Sequence, residues 1–354
     1  MTLALKSKST TAEPGVREIG IRAPQFLTVG IDVGGTKTAC VVTDASDTVL
    51  FHDVIPTQAA TLTTQIVGLA RRAIAGVSAG EDATETRSVA AIGVAIPGQV
   101  EPRRGTAELA VNLGAPEIDL SSTIESETGI PCFVEHDARA AASWVYERHR
   151  GGDRDGSDLC YLSIGTGIAA GIILGGRPMR GESGLAGEVG HIVVEPGGSK
   201  CPCGSHGCLE TVAAGPAIAK AARRAVNDGR ETTLTAHATA ADVFEAASAG
   251  DEVAIEITAR VGDHLARTIR GLVLTLGVQR VVIGGGVAAG GDALMQPIRD
   301  MLDRERRLSP LVETAFAGAS LELLPPNLEP GARGAAAIAR QRINAQLREG
   351  VADR

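Results

Sequence analysis

Aromatic side chains are scarce: one Trp, two Tyr and five Phe make up 2% of the chain. That scarcity argues against an aromatic-lined groove. With Gly and Ala abundant, it favours tightly packed helices and strands joined by glycine-shaped turns. No apolar run reaches the length of a membrane span. There is no cationic excess either. The net charge of −8 argues against nucleic acid as the main partner. It leaves room for a small anionic ligand, because backbone amides bind phosphate without a basic surface. Residues 1–26 are polar, contain proline and lack an apolar h-region. They are expected to form a disordered tail, not a signal peptide. Without a secretion signal, the six cysteines are not expected to form a disulfide framework, and a reducing cytoplasm is the expected compartment. Cys40, Cys132 and Cys160 stand among apolar neighbours and read as small buried hydrophobes.

The chain has 354 residues, 44% of them hydrophobic, which is enough for two lobes with sizeable cores. "FLTVGIDVGGTKTACVVTD" (26–44) reads as two strands around a Gly-rich turn, and "LCYLSIGTGIAAGIILGGRPM" (159–179) repeats that pattern. Helical spacing marks 65–77 and 251–277. "VAAIGVAIPGQV" (89–100) is a buried strand stopped at Pro97-Gly98, and "PCFVEHDARAAASWVYERH" (131–149) is a strand running into an Ala-rich helix. "RVVIGGGVAAGGDALMQPI" (280–298) is strand, triple-Gly turn and helix, and the chain closes on a helix. Alternating strands and helices with one repeated hairpin give an α/β fold of two similar lobes.

Several stretches carry chemistry. In "DVGGTK", Gly34 and Gly35 let backbone N–H groups approach an anion, Thr36 and Lys37 add donors, and Asp32 is placed to hold a metal through water. The bland reading is an ordinary Gly-rich hairpin. The turn Gly165-Thr166-Gly167 gains weight as its counterpart in the second lobe, because two such turns facing each other would grip a nucleotide. Gly284, Gly285 and Gly286 follow a strand and resemble an adenosine-contacting turn. They lack the spacing of a dinucleotide fingerprint. Asp137 lies where a strand gives way to a helix. Taken alone, it reads first as an N-cap and second as a catalytic carboxylate. The same weighing sets Glu188 and Glu210 against plain solvated carboxylates. Cys201-x-Cys203-x4-Cys208 offers three thiolates in a loop that Gly204 and Gly207 can bend, which favours tetrahedral Zn2+. His191 and His206 compete for the fourth position.

Taken together, "IDVGGTK", "AIPG", "EHDARAAA", "IGTGIAAGIILGG", "GLAGEVGHIVVEPGG", "CPCGSHGCLE" and "VVIGGGV" resemble, in content and order, the ROK family of sugar kinases and repressors, over about 27–345. The resemblance implies a two-lobed actin-like/hexokinase-like ATPase (ribonuclease H-like) fold with a zinc-stabilised loop. It implies 27–140 as a small lobe joined by the C-terminal helix (about 331–348), and 141–330 as a large lobe containing the zinc loop 191–208. The implied activity is transfer of the γ-phosphate of ATP, with Mg2+, to a hexose hydroxyl. Asp137 would be the base. Gly98, Asn112, His136, Asp137, Glu188, His191 and Glu210 would contact sugar. Gly34–Lys37 and Gly165–Gly167 would hold phosphates, and Gly284–Gly286 adenosine. The resemblance also assigns His191, with Cys201, Cys203 and Cys208, to zinc, and implies a homodimer or homotetramer.

One departure stands out. The family's residue before the base is usually Asn. Here it is His136, with Arg139 in place of a later Asn. An imidazole is larger and bonds differently. The sugar is therefore expected to be glucose or an altered hexose: kanosamine, N-acetylglucosamine, N-acetylmannosamine, mannose or fructose. The family's repressors carry a winged helix before the first hairpin. Only 26 mostly polar residues stand there, so a DNA-binding role is not expected, and a non-catalytic sugar sensor is the remaining rival. A zinc hydrolase would need an open coordination position, which four protein ligands close.

Overall fold

The computed structural model describes residues 26–78, 88–102, 104–110, 115–149 and 156–352. The expected tail falls almost wholly outside them, as does Asn112.

The elements in chain order begin with β1 (Leu27–Val33), β2 (Lys37–Thr43), β3 (Val49–Pro56), α1 (Leu62–Ser78) and β4 (Val89–Ile96). A small sheet follows, β5 (Gln99–Glu101), β6 (Thr106–Ala110) and β7 (Ala115–Asp119), then α2 (Leu120–Thr128), β8 (Cys132–His136) and α3 (Asp137–Arg148). The second half has β9 (Leu159–Ile164), β10 (Ile168–Leu174), β11 (Arg177–Pro178), α4 (Glu210–Ala213), α5 (Gly215–Asn227), α6 (Ala240–Ser248) and α7 (Glu252–Leu276). It ends with β12 (Arg280–Gly284), α8 (Gly291–Leu308), α9 (Pro310–Phe316), β13 (Ser320–Leu323) and α10 (Pro330–Ala352).

Two five-stranded sheets share one plan. The first runs β3-β2-β1-β4-β8, the second β11-β10-β9-β12-β13. In each, a hairpin pairs antiparallel and its first strand pairs parallel with a later strand. The repeat expected from the two hairpins therefore extends to whole sheets. Each sheet has its own apolar core, one built on Ile31, Ile66 and Ile92, the other on Leu162, Leu265 and Ile283.

α3 and α10 pack on each other, α10 against β1 and β4, α3 against β9 and β10. Small residues make that approach feasible. A Cβ on Gly30 would fall 1.9 Å from the Ala332 carbonyl oxygen, and one on Gly93 would fall 2.0 Å from that of Ala335. Overpacking of this kind costs about 1–3 kcal/mol or more. The abundant glycine thus serves helix-on-sheet contact as well as turns. Cys40, Cys132 and Cys160 are buried and unpaired, and burial pushes each thiol up to about 12. Among the described residues, no helix is long and apolar enough to cross a membrane.

Candidate active site

The first turn of each sheet's hairpin points into the same cleft, of about 770 Å3. Asp32, Gly34, Gly35, Thr36 and Lys37 line it from the β1–β2 turn, and Gly165, Thr166 and Gly167 from the β9–β10 turn. The turns meet: Thr36 Oγ1 lies 3.1 Å from Thr166 Oγ1. Of the triple glycine, Gly286 lines the cleft. Gly284 and Gly285 stand behind it, where Cβ atoms would meet the Tyr161 hydroxyl and the Ile164 carbonyl. Phe244, Glu245 and Ser248 of α6 add a wall that no motif signalled.

The other end of the cleft holds Gly98, His136, Asp137, Glu188, His191 and Glu210. β8 runs its last residue, His136, directly into α3. Asp137 is the first helical residue, not the cap, and its Oδ1 accepts the Ala138 N–H at 2.6 Å. His136, 3% exposed, lies between two carboxylates, with Nδ1 3.2 Å from Asp137 Oδ1 and Nε2 3.2 Å from Glu188 Oε1. Burial would push the imidazole down, but Asp137 and Glu188 outweigh it and raise it above its ordinary value. Burial likewise opposes ionisation of Glu188, and the contact with His136 holds it below the usual carboxylate range. Glu210 heads α4, and its Oε2 accepts the Ile168 N–H at 2.9 Å. Neither glutamate is a merely solvated carboxylate.

Arg139 is turned away from the cleft. It is 1% exposed, donates through Nε to Glu135 Oε1 at 2.9 Å and through Nη1 to the Gly184 carbonyl at 2.9 Å. Arg180 pairs with the same glutamate. Burial favours a neutral Glu135, yet the two guanidiniums hold its carboxyl below the usual range.

Near the two glycine turns, Lys37 Nζ donates to Glu329 Oε1 at 3.0 Å. Glu329 precedes α10 at φ 44°, and its sequence carries no motif that would have announced it. Asp32 abuts the start of α10 at Gly331. Loss of hydration, then the charges of Asp137 and Glu329, push Asp32 up to about 7, with Lys37 opposing.

Behind His191 lies the cysteine loop. One ligand atom each from His191, Cys201, Cys203 and Cys208 fall within 4.8 Å of one another. Cys203 Sγ is 3.7 Å from Cys208 Sγ, and His191 Nδ1 is 3.5 Å from Cys201 Sγ. A tetrahedron with metal–sulfur bonds of about 2.3 Å has edges near 3.8 Å, so the donor set suits zinc. His206 does not join the cluster. Gly207 sits at φ 73°, where a Cβ would fall 1.7 Å from the Glu195 carbonyl oxygen. Glu195 anchors the loop to α7 through Arg260 and His264. His191 Nε2 faces the other way, 3.8 Å from Glu188 Oε2.

Two sheets of one topology, closing on a shared cleft with glycine turns from both, define the hexokinase-like, actin-like class of ATPase fold. Within that class, the ROK family model matches residues 28–342, and the chain belongs to the ROK family. It is 34% identical over 282 residues to a glucokinase of Halalkalibacterium halodurans, covering 77% of this chain and 83% of that one. It is 30% identical over 281 residues to the DNA-binding transcriptional dual regulator NagC of Escherichia coli, covering 79% of this chain and 68% of that protein. Among solved structures it resembles a ROK family glucokinase from Streptomyces griseus in complex with glucose and AMPPNP, with TM-score 0.73 and 31% identity over 89% of this chain and 99% of that one.

Proposed function

We propose that this protein is a hexose kinase that transfers the γ-phosphate of ATP to a sugar hydroxyl, O6, with glucose as the leading substrate. The alternatives are an amino or N-acetyl hexose, mannose or fructose. The observation that carries this reading is the cleft itself: acidic and imidazole side chains gather at one end, and two facing glycine turns at the other. The glucokinase similarities support the reaction class. The lobe division at 27–140 and 141–330, with the last helix returning to the first lobe, belongs to the same reading.

Phosphoryl transfer is mostly positioning and charge stabilisation. In this reading Asp137 accepts the proton of the attacking hydroxyl, and a carboxylate can do so late in the reaction without a raised pKa. Glu188, His191 and Glu210 hold the remaining hydroxyls, with Gly98 on the facing wall. Backbone N–H groups of 34–37 and 165–167 receive the phosphates, Lys37 supplies a cation, and Gly286 with α6 forms the nucleoside end. Asp32 is the carboxylate for water-mediated Mg2+. Held by the four donors of the cysteine loop, zinc would act as a structural tie, leaving His191 Nε2 to face the sugar.

A second reading, a sugar-responsive regulator, draws support from the NagC similarity. Sugar-dependent ADP release from Mg-ATP, ranked by kcat/KM over glucose, mannose, fructose and amino hexoses, separates the two. A kinase releases ADP with one sugar preferred. A regulator binds sugar and releases none.

A further inference from the structure

We infer that His136 is a positioning residue held as an imidazolium, whose charge fixes the carboxylates of Asp137 and Glu188 at the sugar end of the cleft. The kinetic consequence rests on the kinase reading above. Both ring nitrogens lie 3.2 Å from a carboxylate oxygen, and the ring is 3% exposed. A neutral imidazole has one N–H and one lone pair. In either tautomer that lone pair would lie 3.2 Å from a carboxylate oxygen. Only the doubly protonated ring sets an N–H and a positive charge beside both. The Nδ1 contact is ionic, without the alignment of a hydrogen bond. An asparagine amide has donors on one nitrogen only, so it cannot replace this bridge.

The charges around the ring favour the same state. α3 contributes Asp137 and Arg139, the segment leading to the cysteine loop contributes Glu188, and β8 contributes Glu135. Arg139 and Arg180 both pair with Glu135, so the cation nearest His136 is already matched. Asp137 and Glu188 remain, and they raise the imidazole against its burial. For a raised histidine, the stabilisation is complete below the unfolded value of about 6.5 and is lost as pH rises through the native value.

The test uses full-length, zinc-loaded protein labelled with 15N-histidine. The His136 resonances are those that vanish in His136→Asn, with His136→Gln as the substitute if the first does not fold. Expected is a ring that keeps both nitrogens protonated above the ordinary histidine value of about 6.5. A titration midpoint at or below that value overturns the inference. In kinetics, kcat of His136→Asn is expected to fall about tenfold to a hundredfold, as for a displaced reacting group. The alkaline fall of kcat/KM in the wild type should track the NMR titration and be absent from the variant. An unchanged alkaline limb in the variant overturns the positioning role. If wild-type protein releases no ADP with any sugar, the kinase reading fails, while the NMR result still decides the state of His136.

Discussion

At one end of the cleft, His136 lies 3.2 Å from each of two carboxylates, with a four-donor cluster behind it. At the other, two hairpin turns meet through one hydroxyl pair, Thr36 Oγ1 to Thr166 Oγ1 at 3.1 Å. The first end is built from charged side chains that must be balanced and held. The second is built mostly from backbone that needs only the right conformation. Substitutions should therefore act differently at the two ends: at the side-chain end they strike chemistry and sugar affinity, and at the backbone end they tune nucleotide affinity.

The largest effect is expected from Asp137→Asn. Turnover should drop by about 10²- to 10⁴-fold, the range for a lost general base. Sugar affinity read by calorimetry should stay close to wild type. Near-normal turnover would remove Asp137 from the chemistry. Stripping the cysteine cluster, by chelation or Cys208→Ser, comes next. Tm should fall by several degrees, and sugar affinity by about tenfold, because the loop fixes His191 and Glu188. Metal-free protein that keeps its sugar affinity would separate the cluster from the sugar end.

At the other end, Lys37→Met should raise the KM for nucleotide about tenfold, in keeping with about 1.5 kcal/mol for one charge-assisted bond, and leave the sugar KM alone. Parallel KM measurements for both substrates check this. The last effect concerns stability and leaves the assignment of the chemistry untouched. Asp32 is pushed up to about 7 in the folded protein, against about 3.9 unfolded. The folded state holds that proton more tightly, so stability is lost as pH rises from about 4 through about 7. Asp32→Asn removes the loss. Its Tm gain over wild type should be larger at pH 8 than at pH 5, and an equal gain at both would show that Asp32 is not so shifted.

The same contrast governs how much could be read from sequence. The two hairpin turns and the cysteine loop were legible because each packs its chemistry into a few consecutive residues. Asp137 was legible in place and ambiguous in role: the structure puts it one residue inside α3, bonded to Ala138, and beside His136. The fourth member of the cysteine cluster was undecided by spacing, since His191 is ten residues from Cys201 and only folding brings them to 3.5 Å. Glu329 was invisible, because it reaches Lys37 across 292 positions with no motif around it. The α6 wall was hidden for the same reason. Arg139 shows a further limit. Its neighbours in sequence are site residues, yet one helical turn carries it to the buried Glu135. Gly284 and Gly285 belong to a motif of three, but steric need behind the cleft accounts for both.

The proposed reaction moves phosphate from ATP to a hexose, with Asp137 taking the proton. Its most direct measurement is 31P NMR of the products formed from Mg-ATP and the preferred hexose by wild-type protein and by Asp137→Asn. ADP and a hexose phosphorylated at O6 are expected from the wild type, and at most about a hundredth of that rate from the variant. ATP left intact by the wild type with every sugar, or equal product from both proteins, would contradict it.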